Sequence, residues 1–86
     1  MSKYENKLLA AAYDHYRKTG SPDFVYRWKN ADDLFFAEEA LKSLQKRGLV
    51  FNVPDEVMND DPNFIAPIPF TLSSIGIEYM GSNREP

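Results

Sequence analysis

The sequence predicts an α+β domain with four helices and a two-stranded antiparallel hairpin, in the order helix, helix, helix, strand, strand, helix. Three observations predict this class. Apolar residues recur at helical spacing up to residue 47, two extended runs rich in strand formers follow, and a capped helical segment comes last. At 86 residues the chain can form one hydrophobic core. We therefore expect one domain over residues 1–80 and a flexible tail over residues 81–86.

The first predicted helix begins at Ser2 and ends at Gly20. Ser2 and Glu5 have the spacing of a capping box, and the glycine is a common helix stop. The apolar side chains of this helix cover about half of its circumference at ~100° per residue. We expect so wide an apolar arc to pack against more than one neighbour, and a second subunit is one candidate.

The second predicted helix is short. Ser21, Pro22 and Asp23 supply a hydroxyl cap, a proline suited to the first helical position and an acid near the positive end of the helix dipole. These three residues predict a helix that ends near Trp28. A tight turn at residues 29–30 would then separate it from the third helix.

The third predicted helix is capped by Asn30 and runs to Arg47. Its buried stripe consists of Leu34, Ala37, Leu41 and Leu44. Gly48 fits the left-handed position that follows a helix, where Leu49 would fold back on Leu44.

The two extended runs, residues 49–53 and 64–71, are predicted to pair as a hairpin. Pro67 and Pro69 lie two apart, so one side of the second strand lacks both amide donors. We expect that side to be a sheet edge. A long acidic loop joins the strands, and Ser73 caps a final helix that ends at Met80.

Composition excludes several classes of function. The chain has a net charge of −3, no cysteine and one histidine, so disulfides and thiolate metal sites are excluded and a cytoplasmic setting is expected. No apolar run resembles a signal peptide or approaches the ~20 residues that cross a bilayer, so we expect a soluble protein without membrane contact.

Catalytic and metal-binding patterns are missing from the sequence. We expect His15 to be a packed or half-exposed side chain, because no second histidine or cysteine can join it. The acidic loop lacks the turn glycine and closing glutamate of an EF-hand. We therefore expect no enzyme activity, no metal and no cofactor.

Two segments, Leu41–Val50 and Leu72–Met80, carry a resemblance to the winged helix-turn-helix family of small prokaryotic and phage regulators. Together with the order of predicted elements, the resemblance covers nearly the whole chain. It implies a winged-helix fold whose third helix enters the major groove of DNA. The acidic loop would then be the wing, which touches the DNA backbone or minor groove.

The charge pattern departs from that expectation, because no lysine or arginine occurs from Gly48 to Asn83. Two phenylalanines and several acids occupy the solvent side of the third predicted helix, whereas DNA-binding surfaces are basic. We therefore favour a non-catalytic regulatory protein that binds another protein through the exposed face of the third helix and the acidic loop.

The residues expected to contact the partner protein are Trp28, Phe35, Phe36, Glu39, Asp55, Glu56, Asp60 and Asp61. Their acids favour a partner with a basic surface. We expect neighbouring elements to cover one of Phe35 and Phe36, and if both are exposed they mark an interface.

The alternative function is a dimeric DNA-binding transcription regulator. Its phosphate contacts would be Arg27, Lys29, Lys42, Lys46 and Arg47. A homodimer would be required, because one module with so few phosphate contacts binds DNA weakly at physiological salt. A structural subunit of a larger assembly is a third interpretation.

Overall fold

The computed structural model describes residues 2–54 and 67–84. The elements are α1 (Lys3–Thr19), β1 (Asp23–Tyr26), α2 (Ala31–Lys46), β2 (Val50–Phe51), β3 (Ile68–Leu72) and α3 (Ser74–Arg84). The described residues thus form three helices and a three-stranded antiparallel sheet of order β1-β3-β2. The broad α+β class is confirmed, but the four helices and the two-stranded hairpin were wrong.

The second predicted helix is strand β1. Its side chains alternate, with Phe24 and Tyr26 turned toward the core and Asp23 and Val25 exposed, which is the period of a strand. Pairing with β3, which is distant in sequence, outweighs the local helix-start signals at Ser21–Asp23. No helix therefore precedes α2 across a tight turn, and the predicted winged helix-turn-helix order is contradicted.

β3 is the central strand, although it contains Pro69. The Leu72 amide donates to Pro22 on the β1 side, whereas the Ser73 amide donates to Leu49 on the β2 side. By alternation the nitrogen of Pro69 faces β2, and the β2 pairing stops at Phe51 opposite Thr71. The proline side is thus short of donors as predicted, but the prediction that it forms an edge was wrong.

The predicted ends of α1 and α2 are confirmed. Ser2 and Glu5 form a capping box on α1, and the Asn30 side chain accepts from the Asp33 amide at the start of α2. Gly48 has a φ of 77°, and the Leu49 amide donates to the Leu44 carbonyl at 3.0 Å. The α2 helix therefore closes in the left-handed turn expected from its sequence.

The core lies between the inner face of the sheet and the helices. It includes Leu8, Leu9, Ala12, Ala37, Leu41, Leu44, Val50, Ile68, Phe70 and Leu72. α1 contacts α2, α3, β1 and β3. The wide apolar arc of α1 is therefore buried against several neighbours within this chain, as expected.

α3 packs closely on the turn that follows α2. The Ser73 hydroxyl donates to the Gly48 carbonyl, and the Gly76 amide donates to the Ser73 hydroxyl at the start of the helix. A Cβ at Gly76 would overlap the carbonyl oxygen of Leu49. The helix runs to Arg84, past its predicted end at Met80.

Some predictions fall outside the part of the chain that the structure describes. The acidic loop residues Asp55, Glu56, Asp60 and Asp61 are among them. Within the described ranges, none of the helices has the length and apolar composition needed to cross a membrane.

Candidate functional site

The solvent side of α2 is a continuous stripe that we call the α2 face. It consists of the exposed residues Asp32, Phe35, Phe36, Glu39, Lys42 and Lys46. Their spacing of three or four residues places them on one side of the helix. The 16 residues of α2 extend about 24 Å at 1.5 Å per residue. The predicted orientation of this helix is thus confirmed.

Aromatic side chains dominate the N-terminal half of the α2 face. Phe35 is 58% exposed and Phe36 is 51% exposed, and their ring centroids lie 5.6 Å apart. Tyr4 of α1 places its ring centroid 5.5 Å from that of Phe36. We call these three residues the aromatic cluster.

The expectation that one of the two phenylalanines is covered was wrong. Of the two elements that were to provide the cover, the second predicted helix is strand β1 and pairs with β3 instead, and the acidic loop lies outside the described residues. Both Phe35 and Phe36 therefore remain at the surface, which is the condition that marks an interface.

Two of the depressions that adjoin the α2 face are lined in part by Glu39. The first is a mostly apolar groove of about 270 Å³, lined by Ser2, Lys3, Tyr4, Glu5, Phe36, Glu39 and Ala40. The second has a volume of about 380 Å³ and is lined by Glu39, Lys42, Ser43, Gln45 and Lys46. Glu39 lines both depressions, so it lies at the centre of the α2 face.

A buried carboxylate holds the aromatic cluster in place. Asp33 is only 7% exposed, and its Oδ1 accepts hydrogen bonds from the Tyr4 hydroxyl at 2.6 Å and the Tyr26 hydroxyl at 2.8 Å. Its Oδ2 accepts from the Lys29 amide at 2.9 Å. Lys7 Nζ donates to the Tyr26 hydroxyl at 3.3 Å. These bonds fasten α1, β1 and α2 together at one end of the molecule.

The pKa of Asp33 is lowered, whereas the pKa values of its two tyrosine partners, Tyr4 and Tyr26, are raised. Burial raises the pKa of Asp33, but hydrogen bonds from Tyr4, Lys29 and Tyr26 outweigh it, so the pKa lies below its ordinary value. Burial, followed by the bond to Asp33, raises the pKa of Tyr26 to about 12. The bond to Asp33 also raises the pKa of Tyr4. The carboxylate is therefore ionised and both phenols are protonated at neutral pH.

A second buried carboxylate lies at the other side of the groove. Glu5 accepts from the Ser2 amide at 3.2 Å and from the Ser43 hydroxyl at 3.3 Å, and Arg47 Nε lies 3.7 Å away. Burial raises the pKa of Glu5, but the Ser2 bonds, Arg47 and Ser43 together lower it below its usual value. Arg47, a predicted phosphate contact, is thus paired with an acid of its own chain.

The structure does not bring the predicted DNA-binding residues together. Arg27 and Lys29 precede α2, whereas Lys42, Lys46 and Arg47 lie near its C-terminal end. At 1.5 Å per residue, about 17 Å of helix lies between Ala31 and Lys42 and about 23 Å between Ala31 and Lys46. The exposed lysines therefore do not form one basic patch with the residues before the helix.

The predicted protein-binding residues are brought together in part. Phe35, Phe36 and Glu39 share the α2 face, whereas Trp28 is half-buried and packs against the core. Tyr4 was missed as a site residue because its place in the apolar arc of α1 indicated core packing alone. Asp33 was missed because an acid in the first turn of a helix is explained by the helix dipole.

His15 is half-buried, and its ring packs edge-on against that of Phe24 with centroids 5.5 Å apart. Within residues 2–54 and 67–84, no group of three acidic or histidine side chains is placed to hold a metal ion.

Comparisons with protein families, with curated proteins and with solved structures found no match to this chain.

Proposed function

We propose that this protein is a non-catalytic protein-binding domain that contacts its partner through the α2 face. One observation carries the proposal: Phe35 and Phe36 are both more than half exposed, their rings pack against each other, and the Phe36 ring also packs against Tyr4. Exposed aromatic groups of this kind are typical of binding hot spots.

The chemistry around the aromatic cluster indicates what the partner must offer. The apolar groove beside Phe36 has room for an apolar side chain of the partner. Asp32 and Glu39 are exposed on either side of the aromatic rings, so they favour basic groups at the edge of the contact. The partner surface should therefore combine an apolar projection with positive charge.

Contacts within the chain position Tyr4 and Phe36 before any partner binds. Tyr4 is fixed by its 2.6 Å hydrogen bond to Asp33, and Phe36 packs against the Tyr4 ring. A side chain that is already ordered loses less conformational entropy on binding. This arrangement supports a specific contact surface.

The proposal is tested by placing a photo-crosslinking amino acid at position 36 or, as a control, at position 75. Ile75 lies on α3 and is 59% exposed, so its accessibility matches that of the phenylalanines. In cells that make the protein, we expect position 36 to give a discrete protein adduct and position 75 to give none.

The affinity of the captured protein is then compared for two variants. Loss of a hot-spot aromatic costs at least about 2 kcal/mol, so Phe36→Ser should weaken binding by about 30-fold. Ile75→Ser should leave binding within about twofold. Equal effects of the two variants would refute the assignment of the α2 face.

DNA binding remains the alternative, supported by the exposure of Lys42 and Lys46. We expect no binding to duplex DNA at about 50 mM salt, where backbone contacts are strongest. Binding that falls steeply between about 50 and 200 mM salt, and that Lys42→Glu removes, would favour the DNA-binding regulator instead.

A further inference from the structure

We infer that the partner of the α2 face is a second copy of this chain, packed antiparallel on α2 about a two-fold axis. This inference rests on the proposed function and names its partner. The required basic surface is present on the chain itself, because Lys42 and Lys46 are exposed on the C-terminal half of the α2 face.

The charges of the α2 face are self-complementary only in the antiparallel direction. Asp32 lies at the N-terminal end, Glu39 lies near the middle, and Lys42 and Lys46 lie toward the C-terminal end. In a two-fold contact each residue pair occurs twice. Antiparallel packing sets Glu39 of each copy against Lys42 of the other, whereas parallel packing sets like charges side by side.

The shape of the α2 face is complementary in the same arrangement. Phe35 and Phe36 project from the N-terminal half, and the depression lined by Lys42, Gln45 and Lys46 lies in the C-terminal half. Antiparallel packing places the phenylalanines of each copy over the depression of the other. The lysine stems then cover the rings while the ammonium groups reach the acids.

The size of the contact sets the strength of the dimer. A helix about 24 Å long buries less area than the roughly 1,200 Å² at which stable interfaces begin. We therefore expect a reversible dimer with a dissociation constant on the order of micromolar to tens of micromolar.

The test is sedimentation velocity over a wide concentration range, with charge-reversed variants. Glu39→Lys and Lys42→Glu each create two like-charge pairs in the dimer, so each should weaken self-association by at least about tenfold. An equimolar mixture of the two variants should restore the dimer, because the lysine introduced at position 39 then faces the glutamate introduced at position 42. Folding of every variant is checked by circular dichroism.

Matched controls carry the same charge changes away from α2. Glu78→Lys on α3 and Lys18→Glu on α1 alter exposed residues, and both should dimerise like the unchanged protein. Failure of the mixture to recover the dimer would overturn the antiparallel arrangement, as would dimerisation of the single variants at unchanged strength.

The outcomes also separate this inference from the proposed function. A chain that stays monomeric at all concentrations while position 36 crosslinks to a different protein would overturn self-association and leave the protein-binding function standing. If neither Glu39→Lys nor Phe36→Ser weakens self-association, the dimer forms through another surface and the inference is overturned.

Discussion

Replacing Asp33 by asparagine should destabilise the fold by about 2 kcal/mol. The carboxylate accepts from two tyrosine hydroxyls through Oδ1 and from the Lys29 amide through Oδ2. An asparagine that keeps its oxygen toward the tyrosines turns its NH₂ group toward the Lys29 amide, which cannot reorient. At least one bond to a charged acceptor is lost, and such bonds contribute about 1.5–3 kcal/mol.

Urea unfolding at neutral pH, followed by the fluorescence of Trp28, measures this loss. A change of about 2 kcal/mol corresponds to a fall in Tm of roughly 8–16 °C for a domain of this size. The neighbouring exposed Asp32 provides the control, since Asp32→Asn should cost less than about 1 kcal/mol through the helix dipole. Equal losses for Asp33→Asn and Asp32→Asn would refute the role assigned to the buried carboxylate.

Three further predictions concern stability. Because the pKa values of Asp33 and Glu5 are lowered by folding, stability should fall as pH drops below about 4, and Asp33→Asn should make that fall shallower in acid titrations of urea unfolding. Gly76→Ala should destabilise by about 1–2 kcal/mol, because overlap with the Leu49 carbonyl outweighs the ~1 kcal/mol gain in helix propensity; a higher Tm would contradict this. Leu41→Ala should cost about 2–5 kcal/mol in the same assay, and a loss below 1 kcal/mol would contradict its burial in a packed core.

Features with local causes were predictable from the sequence. The capping box at Ser2, the cap at Asn30 and the left-handed turn at Gly48 each depend on residues within one helical turn, and the structure contains all three. The solvent side of α2 also followed from helical periodicity. These features could be predicted without knowing how the helices and strands pack against one another.

Features that depend on distant residues were missed. Strand β1 forms because Asp23–Tyr26 pairs with Ile68–Thr71, and nothing near Pro22 reveals that partner. The site was affected in the same way, since the contact between Tyr4 and Phe36 depends on how α1 packs against α2. The sequence indicated Phe35 and Phe36 as interface candidates. That both are exposed could not be predicted, because the segment before α2 was expected to be a helix and is strand β1.

Pro69 also determines how strand β2 is attached to the sheet. β1 pairs with β3 over four positions, whereas the β2 pairing covers two. Few backbone hydrogen bonds therefore hold β2 on the sheet, and the burial of Val50 in the core must contribute most of the stability of β2 against local opening. In native-state hydrogen exchange, we expect the Phe51 amide to exchange through local opening of β2 and the Phe70 amide to exchange only through global unfolding.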